Sequence, residues 1–573
     1  MPTLLSSLPV EILLKIVLFL GLRDIASCQL SCERLHTVVS GSAHVQYRRL
    51  LRKSGLCDDM EAGMSHAERL RTVERREEAW GEITFRSTRD IDVPFQPTGI
   101  YDFTGDVLLL GTAAGDPQRR TTGYAYMRLP SVGEDGASSL SWVHNEMQNE
   151  PGLRIVDIGM ALHEHDMIAL VTSREEEAHD NDWAISVLEL RFVQFSTSAP
   201  HPKASLPVIP IARKSVLLGH CSVLVEVVGD HLALLVTYPW ARGEMEDMFF
   251  LVNWKRGIAD CLRVSDWGMY SHFAFLSEDT LVFPNSSART LEINKIILPP
   301  PGDPYPPTLR VVCVLALPTM TEHSLITRVD CRGEPGPASS PTPLPAPRQR
   351  PFRNTSEDAV ILFNYLVQDA RRPLFGNLRA FSFVVHRRTL LSHASRAAGP
   401  RGPPARERGI LDLKDVHLAE EPRLTAPPEV TTWDAWGPAS TRWFEHEFPE
   451  ALRWITTSAG QRCVAKTHTG PSPLVVRDFN PHNVGQLTAR IGEAAGSLVL
   501  PNGNTTRVVT QPTIVSNPDV FTNDFVSELP YCETTTAENF GYDGVLMDEE
   551  RILGLQVRED EIGIHSLEVH VLG

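Results

Sequence analysis

A chain of 573 residues that is 42% hydrophobic and 22% charged is expected to fold into two or more globular domains. Its formal net charge of −17 argues against a general nucleic-acid-binding protein, since phosphate binding needs a basic surface. No apolar run approaches the ~18 residues of a membrane helix, and the nine scattered cysteines suggest neither disulfides nor a zinc site. We therefore expect a protein of the cytoplasm or the nucleus, with no metal, cofactor, membrane or nucleic acid bound.

The first apolar segment predicts an amphipathic helix that begins at Pro9. Proline suits a first helical position because its missing N–H would have no partner there, and Glu11 favours the positive end of the helix. Ser6 or Ser7 can cap this helix, and Gly21 is expected to end it. The apolar side chains at helical spacing are Leu8, Ile12, Leu13, Ile16, Val17 and Leu20.

Two more helices are predicted before residue 51. Asp24 can cap the second, with Ile25 and Leu30 pointing inward, and the third begins near Leu35 and runs to Leu50. Three short helices make a core too small to be stable alone, so their surplus of apolar surface must pack against something else. Periodicity alone fits an ordinary helical cap on the next domain as well as it fits a docking module.

The order of residues favours the docking module. The segments Leu8-Pro9-Val10-Glu11-Ile12-Leu13, Asp24-Ile25 and Ser31-Cys32-Glu33-Arg34-Leu35 together resemble the F-box. The resemblance implies docking on the small adaptor subunit of an SCF-type cullin–RING ubiquitin ligase. Leu35 departs from the aromatic residue of many F-boxes, but leucine can fill the same apolar position. The residues that the resemblance assigns to adaptor binding are Leu8, Pro9, Glu11, Ile12, Leu13, Ile16, Leu20, Asp24, Ile25, Leu30, Cys32 and Leu35.

The remaining chain divides into a charged stretch and a β-rich region. Residues 51–79 predict a solvent-exposed helical linker between the F-box, residues 1–50, and the β-rich region, residues 80–573. From residue 80 onward, short β-rich runs are separated by Gly, Pro, Asp and Asn. A polar turn ending in an acidic residue leads into an apolar strand at 105–110, 165–170, 229–234 and 278–283, with a weaker copy at 548–553.

A loop and a second apolar strand follow each of the first four turns. Such a repeat favours a β-propeller, because single hairpins bury their faces by stacking as blades around an axis. The irregular spacing predicts a degenerate propeller with insertions, and a β-sandwich or several small β domains is the alternative. The predicted fold class is therefore α+β multidomain: a small three-helix F-box followed by a large, mainly-β domain.

Three segments are expected to lie outside the packed core. Residues 299–307 and 334–351 are Pro-rich insertions, and residues 396–408, rich in Gly, Pro, Ala and Arg, predict a mobile loop. For 334–351 we favour a disordered insertion over a polyproline ligand for a partner module.

No grouping of residues in the sequence predicts catalysis. His163 and His165 fit a solvated turn better than a metal site, and Asp478 and Asn480 fit a turn that satisfies local backbone groups. The tryptophans favour packing over a ligand cage, with a surface hot spot as the alternative; they are Trp433, Trp436, Trp443 and Trp454.

Several later phrases, among them Arg477-Asp478-Phe479-Asn480-Pro481 and Leu546-Met547-Asp548-Glu549-Glu550, are similar to those of F-box proteins expanded in mushroom-forming fungi. The resemblance implies a substrate-recognition subunit that binds the adaptor, through it a cullin, and an unknown protein target. A non-degradative scaffold on the same adaptor is the alternative. A third hypothesis, an enzyme with an F-box-like cap, requires a pocket with convergent titratable groups.

Overall fold

The computed structural model describes residues 8–58, 63–113, 120–131, 140–147, 152–176, 185–215, 221–238, 246–300, 306–337, 351–371, 378–397, 428–466, 470–492, 496–557 and 563–572. Of these residues, 21% are in helices and 49% in strands, so the described part of the chain is mainly β, as predicted. Parts of the predicted caps, insertions and loop lie outside the described residues, namely Ser6, Ser7, 301–305, 338–350 and 398–408. In the described ranges, no helix combines the length and the apolar character needed to cross a membrane.

The N-terminal helices are α1 (Val10–Phe19), α2 (Leu22–Ser31), α3 (Glu33–Gly41), α4 (Ala43–Ser54) and α5 (His66–Glu82). The prediction of one helix from Leu35 to Leu50 was wrong, because the chain breaks at Ser42. The Ser42 backbone is extended, and its Oγ accepts a hydrogen bond from the Val45 N–H at 3.4 Å. This hydroxyl caps α4, so α3 and α4 are two packed helices.

Two predicted helix starts are shifted. Pro9 holds the N-cap position of α1 rather than its first helical position. Gly21, rather than Asp24, is the N-cap of α2, and Asp24 lies in the first turn. A carboxylate is favourable there as well, because the N-terminal end of a helix carries a partial positive charge.

Two apolar clusters stabilise the helical region. Val17, Ile25, Val39 and Val45 form the first, between α1, α2, α3 and α4. The second cluster also takes in Phe352 from the β-rich region, and its members are Tyr47, Leu51, Leu56, Val73 and Phe352. The small helical core is therefore continuous with the larger domain, which supplies the burial that three or four short helices lack.

Among the described residues the strands form seven sheets of four or more strands, which we call blades 1 to 7. Blade 1 is β3 (Pro97–Thr104), β4 (Val107–Thr112), β5 (Gly123–Arg128) and β6 (Val143–Glu146); blade 2 is β7 (Arg154–Ala161), β8 (Met167–Glu176), β9 (Ile185–Gln194) and β10 (Val208–Ser215); blade 3 is β11 (Ser222–Val228), β12 (His231–Thr237), β13 (Glu246–Asn253) and β14 (Ile258–Asp266); blade 4 is β15 (Ala274–Ser277), β16 (Thr280–Asn285), β17 (Thr290–Ile297), β18 (Thr308–Ala316) and β23 (Val430–Thr431).

Blade 5 is β19 (Ser324–Arg332), β21 (Val360–Asp369), β22 (Leu378–His386) and β24 (Thr441–His446); blade 6 is β25 (Ser458–Ala459), β26 (Arg462–Lys466), β27 (Ser472–Asp478), β28 (Ser497–Val499), β29 (Thr505–Val509) and β32 (Tyr531–Phe540); blade 7 is β2 (Ser87–Asp92), β33 (Gly544–Met547), β34 (Arg551–Val557) and β35 (Ile564–Val571). Two short pairs stand apart: β1 (Leu56–Asp58) with β20 (Phe352–Asn354), and β30 (Thr513–Val515) with β31 (Phe525–Ser527). The remaining helices are α6 (Leu162–His165), α7 (Arg387–Ala397), α8 (Trp433–Trp436) and α9 (Pro481–Ile491).

Apolar layers between successive blades close the sheets into a ring. In β4, Val107 and Leu109 belong to the layer between blades 1 and 2, whereas Leu108 and Leu110 belong to the layer between blades 1 and 7. Such alternation is expected of a strand that is buried on both faces. Similar layers join blades 2 and 3, 3 and 4, 4 and 5, 5 and 6, and 6 and 7. Each blade therefore packs on two neighbours, as in a seven-bladed propeller and unlike a two-layer sandwich.

The last blade contains strands from both ends of the β-rich region. β2 pairs antiparallel with β35, from Ser87 opposite Val571 to Asp92 opposite Ser566. Blade 7 is thus completed by the strand that precedes blade 1 in the chain. This pairing closes the ring by hydrogen bonds as well as by packing.

The repeated acidic turns lie on one face of the ring, which we call the turn face. The turns that connect the first and second strands of blades 1, 3 and 4 are Gly105-Asp106, Gly229-Asp230 and Glu278-Asp279, respectively. Gly105 and Gly229 have φ values of 65° and 59°, a left-handed conformation that favours glycine. In blade 2, α6 occupies this place and holds His163 and His165 within the turn.

The packing prediction for the tryptophans is confirmed. Trp433, Trp436 and Trp443 lie in the apolar layer between blades 4 and 5, and Trp454 lies in the layer between blades 7 and 1. Trp443 is on β24, so its burial follows from a strand position and not from helical spacing.

Candidate functional site

The most exposed apolar surface of the helical region is one side of α1. Ile12, Ile16 and Phe19 are 42%, 36% and 90% exposed. They follow one another at spacings of four and three residues, which places them on one face of the helix, together with Pro9. Leu13 and Val17 lie on the adjacent side of the helix and are buried. We call Pro9, Ile12, Ile16 and Phe19 the α1 face.

The residues that the sequence assigned to adaptor binding divide by exposure. Leu13, Ile25 and Leu35 are buried among the helices, so their part in binding a partner would be to support the exposed residues. Leu8 and Leu20 are half-buried. The exposed members are Pro9, Glu11, Ile12, Ile16, Asp24, Leu30 and Cys32.

Phe19 is the residue of the α1 face that the sequence-based set missed. It is the most exposed large apolar side chain of α1, and Leu30 on α2 is nearly as exposed at 87%. The helical spacing of the sequence could have identified Phe19, because it lies three residues after Ile16, on the same helical face. Large exposed apolar side chains on a short helix are a feature of protein-binding surfaces.

The contacts that attach the helices to the turn face of the propeller include a strand pair and two hydrogen bonds. β1 pairs with β20, which lies between the first two long strands of blade 5. The Trp80 indole N–H of α5 donates to the Glu549 carbonyl at 3.2 Å in the first turn of blade 7. The Asn480 amide donates to the Lys53 carbonyl at the end of α4 at 2.7 Å. These contacts fix the α1 face relative to the propeller.

A buried ion pair strengthens the same junction. Arg462 of β26 contacts Glu77 of α5 at 2.5 Å and Asp478 at 2.9 Å. Burial opposes ionisation of Glu77, but the guanidinium groups of Arg462 and Arg76 outweigh it and hold the pKa of Glu77 below its usual value. The prediction of a solvent-exposed linker helix at residues 51–79 was therefore wrong for one side of α5, which buries Val73, Arg76 and Trp80 and is attached to the propeller.

The predicted turn around Asp478 and Asn480 is confirmed. The Asp478 carboxylate accepts a hydrogen bond from the Asn480 N–H at 2.9 Å, and the Asn480 side chain accepts one from the His482 N–H at 2.8 Å. Asn480 thereby caps α9. The two side chains satisfy backbone groups at the start of this helix.

A central channel of about 1290 Å³ runs between the blades. Its wall is formed by the first strands, including β3, β7, β11 and β19, and β1 and β20 line its end at the turn face. Thr327 and Arg328 of β19 line the channel and are exposed, so solvent reaches it. We refer to this cavity as the central channel.

Carboxylates in the central channel bridge neighbouring first strands. Asp102 of β3 accepts a hydrogen bond from the Met160 N–H of β7 at 3.1 Å, and Glu226 of β11 accepts one from the Phe275 N–H of β15 at 3.2 Å. Asp157 of β7 accepts from its neighbour Ile158 at 2.8 Å and also faces the Val225 N–H of β11. First strands are sheet edges, so these side chains satisfy backbone groups that no further strand pairs with.

The three carboxylates differ in their charged partners. Arg332 contacts Asp102 at 2.9 Å and Glu334 at 3.0 Å. Within the described ranges, Asp157 and Glu226 form no ion pair with a Lys or Arg side chain. Burial raises the pKa of each of these two carboxyls to about 7.

The channel also holds a buried cysteine beside a histidine. Cys331 Sγ lies 3.5 Å from His272 Nδ1, which also contacts the Phe273 carbonyl at 3.0 Å. Burial raises the pKa of Cys331 well above its usual value and lowers the pKa of His272, so the pair is neutral. A reactive cysteine needs a stabilised thiolate, and this environment opposes one. In the described part of the chain, no group of three His, Cys, Asp or Glu side chains is arranged to hold a metal ion.

Residues 5–52 match the F-box-like family, so the helical region contains an F-box-like domain. No curated protein matches the chain.

Among solved structures, YCF48 bound to a D1 peptide is 11% identical, with a TM-score of 0.24, covering 53% of this chain and 79% of that one. The β-propeller domain of the trilobed protease from Pyrococcus furiosus is 9% identical, with a TM-score of 0.22 and coverages of 74% and 96%. Kluyveromyces lactis Hsv2 is 10% identical, with a TM-score of 0.17 and coverages of 51% and 93%. The propeller assignment rests on the strand order and apolar layers described above, to which TM-scores this low add nothing.

Proposed function

We propose that this protein is a substrate-recognition subunit of an SCF-type cullin–RING ubiquitin ligase. The observation that carries the proposal is the α1 face, an exposed apolar surface within an F-box-like domain. The adaptor subunit would cover this face and link the chain to a cullin. The propeller would hold the target protein, and the setting would be the cytoplasm or the nucleus. The likeness of the β-rich region to F-box proteins expanded in mushroom-forming fungi is part of this proposal.

The proposed mechanism is proximity, with no bond chemistry performed by this chain. Holding a target beside the ubiquitin-conjugating enzyme raises its effective concentration at the reaction centre. The junction at β1, β20 and Arg462 supports this role, because a fixed propeller presents its target at a defined distance from the adaptor. The pocket that the enzyme hypothesis requires is present as the central channel, but the neutral Cys331–His272 pair gives it no activated nucleophile.

The test is a pair of substitutions on the α1 face. Ile16→Asp with Phe19→Asp places two charges where an apolar partner surface would pack. We therefore expect more than a tenfold loss of adaptor recovery in a pull-down, which corresponds to a loss of at least about 1.4 kcal/mol in binding free energy. Both side chains are exposed, so the melting temperature should stay unchanged. The matched control is Ile258→Asp with Val264→Asp, two exposed apolar residues of β14. Equal adaptor recovery from both variants would contradict the F-box role.

Recovery of cullin separates the proposal from the scaffold alternative. Wild-type protein that recovers the adaptor and a cullin acts within a ligase, whereas adaptor recovery without cullin supports a non-degradative scaffold. Purification with and without proteasome inhibition then identifies proteins that accumulate on the propeller. The Ile16→Asp, Phe19→Asp variant serves as the control, because it should retain the target and lose the cullin.

A further inference from the structure

The central channel carries an excess of negative charge. Among the described residues, its wall includes twelve aspartate and glutamate side chains against five arginines and no lysine. Several of these carboxylates are already paired, such as Asp106 with Arg128 at 3.3 Å and Asp330 with Arg328 at 2.8 Å. The imbalance therefore concentrates on the carboxylates that no arginine contacts.

Asp157 and Glu226 are two of these carboxylates and lie on neighbouring first strands. They lie on β7 and β11, whose strands pack side by side in the ring. Glu226 uses Oε2 to accept the Phe275 N–H, and among the described residues Oε1 has no hydrogen-bond donor. Arg387 is near enough for its charge to act on Glu226, but its guanidinium donates to the carbonyl oxygens of Gly333, Pro335 and Ser356 at 2.6–2.7 Å rather than to that carboxylate. A cation that enters the channel would thus meet two carboxylates that, among the described residues, have no arginine or lysine in direct contact.

We propose that the central channel binds a positively charged segment of the target protein, with a lysine or arginine side chain held by Asp157 and Glu226. This inference rests on the proposed function and adds the class of substrate. The same wall would repel a phosphorylated or acidic segment, because like charges in a confined site cost several kcal/mol.

Size and chemistry both support this ligand class. The channel volume of about 1290 Å³ exceeds the ~300–1,000 Å³ of typical small-molecule pockets, so a short peptide segment fits. Its lining is mixed, with apolar side chains such as Val225 and Phe273 beside the carboxylates. Apolar walls suit the methylene stems of lysine and arginine, whose charged ends then reach the carboxylates.

The test measures binding of a labelled hexapeptide of alternating arginine and glycine to the full-length protein, by fluorescence anisotropy at physiological salt. Counterparts with glutamate or phosphoserine in place of arginine are measured alongside. The channel variant is Asp157→Asn with Glu226→Gln, since each amide oxygen still accepts the same backbone N–H. The matched control is Glu74→Gln with Glu78→Gln, which removes two exposed charges from α5.

We expect the arginine peptide to bind the wild type and to bind the channel variant at least about tenfold more weakly, with less than a twofold change in the control. Equal weakening in both variants would show attraction to the surface only and overturn the inference. No binding to the wild type, or tighter binding of the phosphoserine peptide, would overturn it as well. If the double variant melts below the wild type, Glu226→Gln alone is used, with an expected loss of about threefold.

Adaptor recovery from the same proteins separates this inference from the proposed function. Both channel variants should recover the adaptor as the wild type does, because neither residue lies near the α1 face. Normal adaptor recovery without channel-dependent peptide binding defeats only the channel inference. Channel-dependent peptide binding without adaptor recovery defeats only the proposed ligase role.

Discussion

The helical region and the propeller depart from ordinary folding patterns in opposite ways. The F-box-like domain leaves Ile16 and Phe19 on its surface, whereas the propeller places Asp157 and Glu226 inside its ring. Each departure costs free energy in the isolated chain, since exposed apolar area and confined charge are both unfavourable. A partner that is apolar at one site and cationic at the other would relieve both costs. Sites where apolar side chains are exposed or charged side chains are enclosed are therefore candidate binding sites.

The two regions also differ in how they are stabilised. The propeller has seven apolar layers that each serve two blades, so its core is large and continuous around the ring. The first helices share a core of four fully buried apolar side chains. The helical region depends on its junction with the propeller for the rest of its stability.

The largest expected effect comes from a cavity in the propeller core. Trp443 stacks on Phe383 with ring centroids 4.7 Å apart and is almost fully buried. Trp443→Ala should destabilise the propeller by ~3–5 kcal/mol, measured by chemical denaturation. The comparison variant is Leu13→Ala, which truncates a buried side chain of the helical region and should leave binding of the arginine peptide intact. If both variants lost peptide binding equally, the two regions would behave as one cooperative unit.

A smaller effect is expected at the junction. Arg462→Met removes one of the two arginines that contact the buried Glu77 and the arginine that contacts Asp478, which should lower the free energy of unfolding by about 3 kcal/mol at neutral pH. Because the folded-state pKa of Glu77 is lowered, its stabilising contribution is present above the unfolded pKa and is lost as pH falls through the folded value. The difference between variant and wild type should therefore shrink toward pH 3. Arg462→Lys keeps the charge and is the control; hydrogen exchange in α5 reports the loosening.

The smallest expected effect is a gain in stability, whereas the two substitutions above reduce stability. The pKa of Asp157 is raised to about 7, so this carboxyl favours folding in its protonated form, and its contribution is lost as pH rises through 7. Between pH 5 and pH 8, the free energy of unfolding of Asp157→Asn should rise relative to wild type by ~1–2 kcal/mol, which is less than the full pKa difference would give because solvent enters the channel. Thermal melts at both pH values measure it. Glu175→Gln, at an exposed position, should show no such pH dependence.

Much of the architecture could be predicted because its signals are local. The Leu8–Leu13 segment and the Asp24-Ile25 step lie within a few residues of one another, and they located the F-box-like domain. The acidic turns predicted propeller hairpins, since a turn residue such as Gly229 is fixed by its own backbone conformation. The break at Ser42 was missed because the apolar pattern continues across it, and only the serine cap reveals it.

The ring and its contents needed the tertiary structure. Nothing in the sequence near β2 indicates that it pairs with β35 at the other end of the domain, because such pairing depends on the closing geometry of all seven blades. Asp102, Asp157 and Glu226 share no motif, and each reaches a backbone N–H of the next blade only because the first strands meet around one axis. The sequence alone determined which helical module the chain carries, since that information lies in short-range patterns. The tertiary structure decided where apolar surface stays exposed and where carboxylates gather, since both depend on contacts between residues far apart in the chain.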